Sequence, residues 1–376
     1  MGRLVRGAAP ACPQAGARAV CRVSVRGTVP LMYARLAQVL ASQGGLVTRT
    51  QALDRGLPPS RIKQLLDTGA LVWMVRGVYA DGELHAGLDE FRGLPLLRVR
   101  ATLLAKHHSW VLSHDSAALE LGMPLIDPRA SLVHLTRPGF GAAWTRAGVA
   151  HHYGRFAAGE LQTSETGYRH LSIARTAVDI AREHGELAGL VACDWSLRHG
   201  VERRALIEAY LPMSHWPGVI DVRAAVERAD PRAESVAETL GRDLVEELGV
   251  GGVDVQFPLL LEGRPVWGDL RVGNHVFEVQ GKVKYTPSGS GGVAERPITE
   301  VVWEEKKRSR LIRAEGLGLS EIIYQDFWGD RRAAALRRLR AEYDVSCDRF
   351  GADLHPRLAI QAAELRARFG RRDRAG

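Results

Sequence analysis

Pro58-Pro59-Ser60-Arg61-Ile62-Lys63-Gln64-Leu65-Leu66, closed by Gly69 and followed by Leu71-Val72-Trp73-Met74-Val75-Arg76-Gly77-Val78-Tyr79-Ala80, is the stretch on which the fold turns. Proline at the first helical position has its φ already set for a helix, so the run opens a helix at Pro59. Ile62, Leu65 and Leu66 fall on one helical face and make a buried stripe, while Arg61, Lys63 and Gln64 lie off it. The apolar run after Gly69 is interrupted only at Arg76-Gly77, which reads as a short β-hairpin. Working outward, Leu36, Val39 and Leu40 mark an earlier amphipathic helix ended by Gly44-Gly45. Thr48 is a cap for a second helix running to about Arg55, with Gly56 at its end. Helix, helix, turn, helix, hairpin is the order of a winged helix-turn-helix.

In that architecture the second helix of the motif enters the major groove. Ser60, Arg61, Lys63 and Gln64 are then the candidate DNA-contacting residues: Arg61 and Lys63 suit phosphate or guanine, and Gln64 suits adenine. Arg76 sits at the tip of the wing, and Arg49 and Arg35 add phosphate contacts. The competing reading of the same residues is a winged helix used for protein contacts, its charges solvated.

The chain has 376 residues, enough for two or three domains at roughly 100–200 residues each. Its net charge of +8 favours a polyanionic partner but equally suits an arginine-rich solvated surface. Cys12, Cys21, Cys193 and Cys347 form no CxxC pair, which argues against a zinc knuckle or a disulfide framework and fits a cytoplasmic protein. No apolar run reaches the ~18 residues of a membrane span. Residues 1–32 carry Arg3, Arg6, Arg18, Arg22 and Arg26 without an acid. They read as a disordered basic arm, or as sequence upstream of a true start at Met32.

Residues 95–215 read as a mixed α/β middle domain, with helices expected over 96–107, 113–121, 174–182, 187–199 and 202–210 and a strand over 131–136. Residues 212–218 read as a linker. Ser113-His114-Asp115 cannot form a catalytic relay by themselves, because adjacent residues on a helix point apart; Ser113 reads as a helix cap. His107-His108 and His151-His152 lack a carboxylate at ligand spacing and are not read as metal ligands.

Residues 230–330 change character. A helix over 232–248, three strands over 253–261, 264–272 and 275–279, a charged helix over 299–315 and a strand over 319–324 give the order α-β-β-β-α-β. The run Ser288-Gly289-Ser290-Gly291-Gly292, in the loop before the charged helix, reads as mobile. Asp269 and Glu278 lie on neighbouring strands, where two carboxylates can converge on Mg²⁺. Residues 331–376 read as an Arg-rich helical tail, and Lys306-Lys307-Arg308 with Arg310 and Arg313 as a phosphate-binding stripe or a solvated helix face.

Two resemblances follow from these residues. Leu36 to Tyr79, ending in Val75-Arg76-Gly77-Val78-Tyr79, resembles the N-terminal domain of AbiEi-type antitoxins of type IV toxin–antitoxin systems. Ser113-His114-Asp115-Ser116-Ala117-Ala118 and Ile173-Ala174-Arg175-Thr176-Ala177-Val178-Asp179 are similar to later motifs of that group. The resemblance implies a regulator that binds double-stranded DNA, represses its own operon, works as a homodimer or as cooperative monomers, and opposes a nucleotidyltransferase-type toxin. Residues 230–330 resemble the PD-(D/E)xK nucleases, in particular the very-short-patch-repair and DUF559-like domains. The matching residues are Glu234-Ser235 with Glu238, Gly268-Asp269, and Glu278 followed by Gly281-Lys282-Val283-Lys284-Tyr285. That resemblance implies Asp269 and Glu278 as metal ligands, Glu234 or Glu238 as a helix-borne acid, and Mg²⁺ as cofactor if the domain is active. The departure is Gln280 at the position of the motif's lysine, where it supplies no charge; Lys282 substitutes only if the strand bends at Gly281. The expected protein is thus α+β and multidomain: winged helix over 33–82, middle domain, and a C-terminal α/β nuclease-like domain. A Mg²⁺-dependent endonuclease is the alternative to the regulator.

Overall fold

The structure, a computed structural model, describes residues 31–106, 109–126, 132–280 and 298–369. Residues 1–30 of the basic arm, including Cys12 and Cys21, and His107-His108, Lys282 and the Ser288–Gly292 run lie outside these residues; Leu31 and Met32, read as the end of that arm, instead begin the first helix. The chain divides into two compact units, one of residues 1–108 with 165–168, the other of 109–164 with 169–376.

In the first unit, α1 (Leu31–Ser42) places Leu36, Val39 and Leu40 in a core shared with Val47, Ala52, Leu57, Ile62, Leu71 and Tyr79. Strand β1 (Leu46–Thr48) leads into α2 (Arg49–Asp54) through a capping box: Thr48 Oγ1 accepts the Gln51 N–H at 3.0 Å, and Gln51 Oε1 accepts the Thr48 N–H at 2.9 Å. Two orphan donors are thereby satisfied at once. Helix α3 (Pro59–Asp67) buries Ile62 fully and Leu65 and Leu66 in part. The hairpin β2 (Leu71–Val75) and β3 (Val78–Asp81) turns at Arg76-Gly77, where Gly77 has φ +80°. The sheet has a third strand that the sequence pattern does not reveal: β1 pairs antiparallel with β3, giving the order β1-β3-β2. Three residues between a glycine pair and a capped helix are too few to display alternation. Helix α4 (Gly82–Gly87) is capped by Asp81. Helix α5 (Gly93–Leu104) starts where the Asp89 carboxylate accepts the N–H groups of Phe91, Arg92 and Gly93, three residues before the expected start. Tyr168 belongs to this unit and donates its hydroxyl to Gln43 O at 2.9 Å.

The second unit contains two sheets. The first runs β6-β7-β5-β4-β9-β8, from β4 (Val111–Leu112), β5 (Val133–Arg137), β6 (Trp144–Arg146), β7 (Val149–Tyr153), β8 (Leu161–Thr163) and β9 (Arg169–Leu171). Of these, only β5 is announced by the sequence pattern; the others are two to five residues long, too brief for a clear period-2 signal. Helix α6 (His114–Leu121) follows β4, and α7 (Ile173–His184), α8 (Glu186–Arg198), α9 (Arg203–Tyr210) and α10 (Val219–Arg228) share one apolar core. Two expectations are corrected here. Ser113 occupies the N-cap position of α6 but makes no side-chain cap; its Oγ instead accepts from Thr136 Oγ1 at 2.7 Å. Residues 212–218 are no linker: Met213 is buried in the helical core, Arg182 lies over the Trp216 ring at 4.7 Å, and Gly218 passes so close to Arg182 that a Cβ would meet its carbonyl oxygen at 2.7 Å.

The remaining elements are α11 (Val236–Glu247), β10 (Asp254–Leu261), β11 (Arg264–Val272), β12 (His275–Gln280), α12 (Ile298–Ala314) and β13 (Gly318–Ile323), in the anticipated α-β-β-β-α-β order. Strands β10, β11 and β12 are antiparallel neighbours and β13 lies parallel to β12. The parallel pair requires the long crossover that α12 provides. The arginine-rich terminal segment forms α13 (Gly329–Phe350) and α14 (Pro356–Phe369). They are built into the core: Ala335, Leu339 and Tyr343 pack with Leu240, Leu270 and Phe277, and Leu358 and Ala362 pack with Phe257 and Leu259. The second unit thus runs without a break across the 215–230 boundary drawn from sequence.

Candidate nucleic-acid interface

Helix α3 buries Ile62 and turns Ser60, Lys63 and Gln64 outward, all exposed; Arg61 is half-buried beside them. Arg61 Nη1 donates to Gln64 Oε1 one turn on, so the two candidate base-reading side chains engage one another. Arg76 is exposed at the wing tip. Arg49 is exposed at the start of α2, and its backbone N–H donates to Gly77 O at 2.8 Å, so the first turn of α2 and the tip of the wing are tied together. The wing also shows Trp73, 62% exposed and opposite Tyr79 in the strand register. Trp73 shares a strand face with core Leu71 two residues earlier, so period-2 alternation alone would bury it; its exposure comes from its place toward the tip of the hairpin, beyond the core contacts that bury Leu71.

The C-terminal acids are distributed as follows. Glu238, in the first turn of α11, is buried; it accepts from the Glu234 N–H at 2.9 Å and from Gln256 Nε2 at 2.8 Å, and burial pushes its carboxyl toward weaker acidity. Gln256 reaches it from a β10 backbone at φ +54°, a left-handed kink in the strand. Asp269 on β11 accepts the Val279 N–H at 2.7 Å and so closes the β11–β12 ladder with a side chain. Glu278 on β12 accepts from Arg308 Nη2 at 3.0 Å, and the same arginine also donates to Trp267 O. Gln280 ends β12, and Glu234 lies one residue before the Ser235 cap of α11.

A hard divalent cation needs several free oxygens converging on one point. These residues, as placed, do not fit that requirement. One Asp269 oxygen holds a backbone N–H, Glu278 is neutralised by Arg308, and Gln280 supplies no charge. Among the described residues the set of three ligating side chains with atoms within 4.8 Å of one another is His114, His134 and His152, and no trio of C-terminal acids reaches that distance.

The family-like motifs of the second unit are buried and paired. Arg175 Nε lies 3.1 Å from both Asp179 oxygens, Arg182 Nη1 lies 3.4 Å from Asp179 Oδ1, and both Arg175 and Asp179 are buried. Asp115 lies 2.7 Å from His184 Nε2, and this hydrogen bond raises the pKa of that imidazole. His114, stacked with His134 and His152, is held well below the ordinary imidazole range by burial and by the two neighbouring rings. The histidines stand 20 and 18 residues apart in the chain, so no local motif announces them.

The first unit is thus a winged helix-turn-helix, a class built to present a helix and a hairpin tip to a duplex. Residues 34–80 match the family described as transcriptional regulator, AbiEi antitoxin. This segment is an AbiEi-type antitoxin N-terminal domain. The crystal structure of the RV2827C protein from Mycobacterium tuberculosis is similar at 19% identity and a TM-score of 0.33, over 54% of this chain and 83% of that one. No curated protein matches the chain. Among the described residues no helix is long and apolar enough to cross a membrane.

Proposed function

We propose that this protein is a cytoplasmic, DNA-binding transcriptional regulator of the AbiEi antitoxin kind. It reads an operator with α3 and the wing, represses its own operon as a dimer on two half-sites, and opposes a nucleotidyltransferase-type toxin. The observation that carries this reading is the outward face of α3, with Ser60, Lys63 and Gln64 exposed, inside a segment matched to a regulator family. Operator DNA of two half-sites about one helical turn apart suits a two-fold protein. The test is binding of the full chain to its own upstream DNA and to unrelated duplex across a salt series. Arg61→Ala and Lys63→Ala should lower affinity and flatten the salt dependence. Unchanged affinity and slope in both would overturn α3 as the reader.

A second reading, a Mg²⁺-dependent endonuclease, is favoured by the α-β-β-β-α-β order and by Asp269 and Glu278 on adjacent strands. It requires Arg308 to leave Glu278 first. Plasmid incubated with Mg²⁺ beside the Asp269→Ala/Glu278→Ala variant decides it. Cleavage by the wild type alone would establish the nuclease; no cleavage, or equal cleavage by both, removes it.

A further inference from the structure

The second unit carries a cluster that neither DNA binding nor the C-terminal acids use. Strand β5 delivers His134 and the neighbouring parallel strand β7 delivers His152; their register sets His134 beside Ala150 and Thr136 beside His152. Helix α6 delivers His114 from its first position. His134 Nδ1 and His152 Nε2 are 3.0 Å apart. The His114 ring stacks on both, with centroids 4.2 Å from His152 and 5.1 Å from His134. One ligand atom from each ring lies within 4.8 Å of the other two.

We propose that His114, His134 and His152 form a binding site for a divalent transition-metal ion of the imidazole-preferring class that includes zinc. A tetrahedral ion with nitrogen ligands at about 2.0–2.1 Å has ligand–ligand edges of about 3.3–3.4 Å. The His134–His152 contact is already near that edge, and the third nitrogen has little further to travel. The three rings are nearly parallel, so the ion enters as they turn about their Cβ–Cγ bonds and their in-plane lone pairs converge.

Three features mark a built site. His114 is held at φ +48°, a left-handed backbone that histidine seldom adopts, at the point where its ring lies over the other two. Its Nδ1 lies 3.0 Å from Ser113 Oγ, which itself accepts from Thr136 Oγ1 at 2.7 Å. Ser113 Oγ is thus within reach of His114 Nδ1, the kind of hydrogen-bond partner that a ligating imidazole keeps at its other nitrogen. The Ser113 hydroxyl that fails to cap α6 therefore has an alternative use. Lastly, His114 and His134 are buried while His152 is only half-buried, which leaves an approach from its side. With three protein nitrogens the ion keeps a fourth position open, the ligand count of catalytic rather than closed structural sites.

The test uses the full-length chain, free of any affinity tag, with Cys12 and Cys21 replaced by serine so that thiols outside the site do not compete. Zinc is titrated against a chromophoric chelator, and cobalt is used as a spectroscopic probe. We expect one equivalent of zinc per chain and the visible absorption of tetrahedral cobalt. His152→Gln should weaken binding by more than about 100-fold, and Ser113→Ala by about 10–100-fold as an outer-shell change. His199→Gln, at the exposed C-terminal end of α8, should bind as the wild type does. His134→Gln is a second ligand variant; if it fails to fold, the half-buried His152 variant decides. No stoichiometric zinc in the wild type, or binding unchanged in His152→Gln, overturns the site.

Discussion

Asp194 on α8 and Arg242 on α11 form a buried ion pair in which a single guanidinium nitrogen lies 3.0 and 2.8 Å from the two carboxylate oxygens. Thr239 Oγ1 and the Asp230 N–H also donate to Asp194, at 2.8 and 2.6 Å, and Arg242 donates to Arg228 O. Helix α8 belongs to the helical core and α11 to the α-β-β-β-α-β layer, so this pair fastens the two halves of the second unit. Burial pushes the Asp194 carboxyl toward weaker acidity, against the pull of Arg242 and the Asp230 N–H. Breaking one partner of such a pair strands a charge and costs about 3–5 kcal/mol. Arg242→Ala is expected to lose about that much in urea unfolding. The Asp194→Ala/Arg242→Ala double variant should lose less than the two singles together by about 0.5–3 kcal/mol. Additive losses would show that the two do not act as a pair.

Asp179 is the shared anion of Arg175 and Arg182, and it is fully buried. Asp179→Ala leaves the buried Arg175 guanidinium with only Glu160, at 3.6 Å, and the Arg155 carbonyl, at 3.1 Å. A loss of about 3–5 kcal/mol is expected by the same reasoning. Conservative Asp179→Asn keeps the shape and an acceptor, and should lose less. A melting temperature unchanged in Asp179→Ala would remove the structural role.

The sequence discloses elements in proportion to their length and periodicity. Helices α1, α2, α3, α7, α8 and α9 are legible because apolar residues recur at helical spacing and start signals such as the Thr48 cap and the first-position Pro59 mark where they begin. The strand-rich half of the second unit is not, because β4, β6, β8 and β9 are two or three residues long. Their pairing, and with it the meeting of His114, His134 and His152, is decided by tertiary contacts between segments well separated in the chain. Met213 and Trp216 sit among Pro212, Pro217 and Gly218, whose turn chemistry masks the apolar contacts that bury them. Asp269 and Glu278 are legible as residues of neighbouring strands. What the pattern cannot give is Arg308, brought to Glu278 from a helix 30 residues away.

The wing separates charge from shape. Arg76 is exposed and Gly77, at φ +80°, has open space where a Cβ would stand. Gly77→Ala therefore meets no clash and costs only the left-handed backbone penalty of about 1–2 kcal/mol. Arg76→Ala should leave stability unchanged and lower the slope of log affinity against log salt by about 0.9, one phosphate contact. Thermal unfolding and a salt-series binding isotherm read the two effects apart. An unaltered salt slope in Arg76→Ala would place the wing tip off the DNA.

His275 supplies a pH signature for the C-terminal layer. It is buried between Ser346 and Ser320, each 2.8 Å from a ring nitrogen, and burial lowers its pKa from 6.5 to about 4. The folded state therefore takes up the proton less readily than the unfolded chain. Its contribution is fully present above the unfolded value and is lost as pH falls from about 6.5 toward 4. At about 1.4 kcal/mol per unit, the loss across that window is on the order of 3 kcal/mol. Urea unfolding at pH 7 and at pH 4.5 should show this fall in the wild type. In His275→Gln, where nothing titrates, the part of the pH dependence owed to this site should vanish. Equal pH dependence in the two proteins would show that the imidazole is not held neutral by its burial.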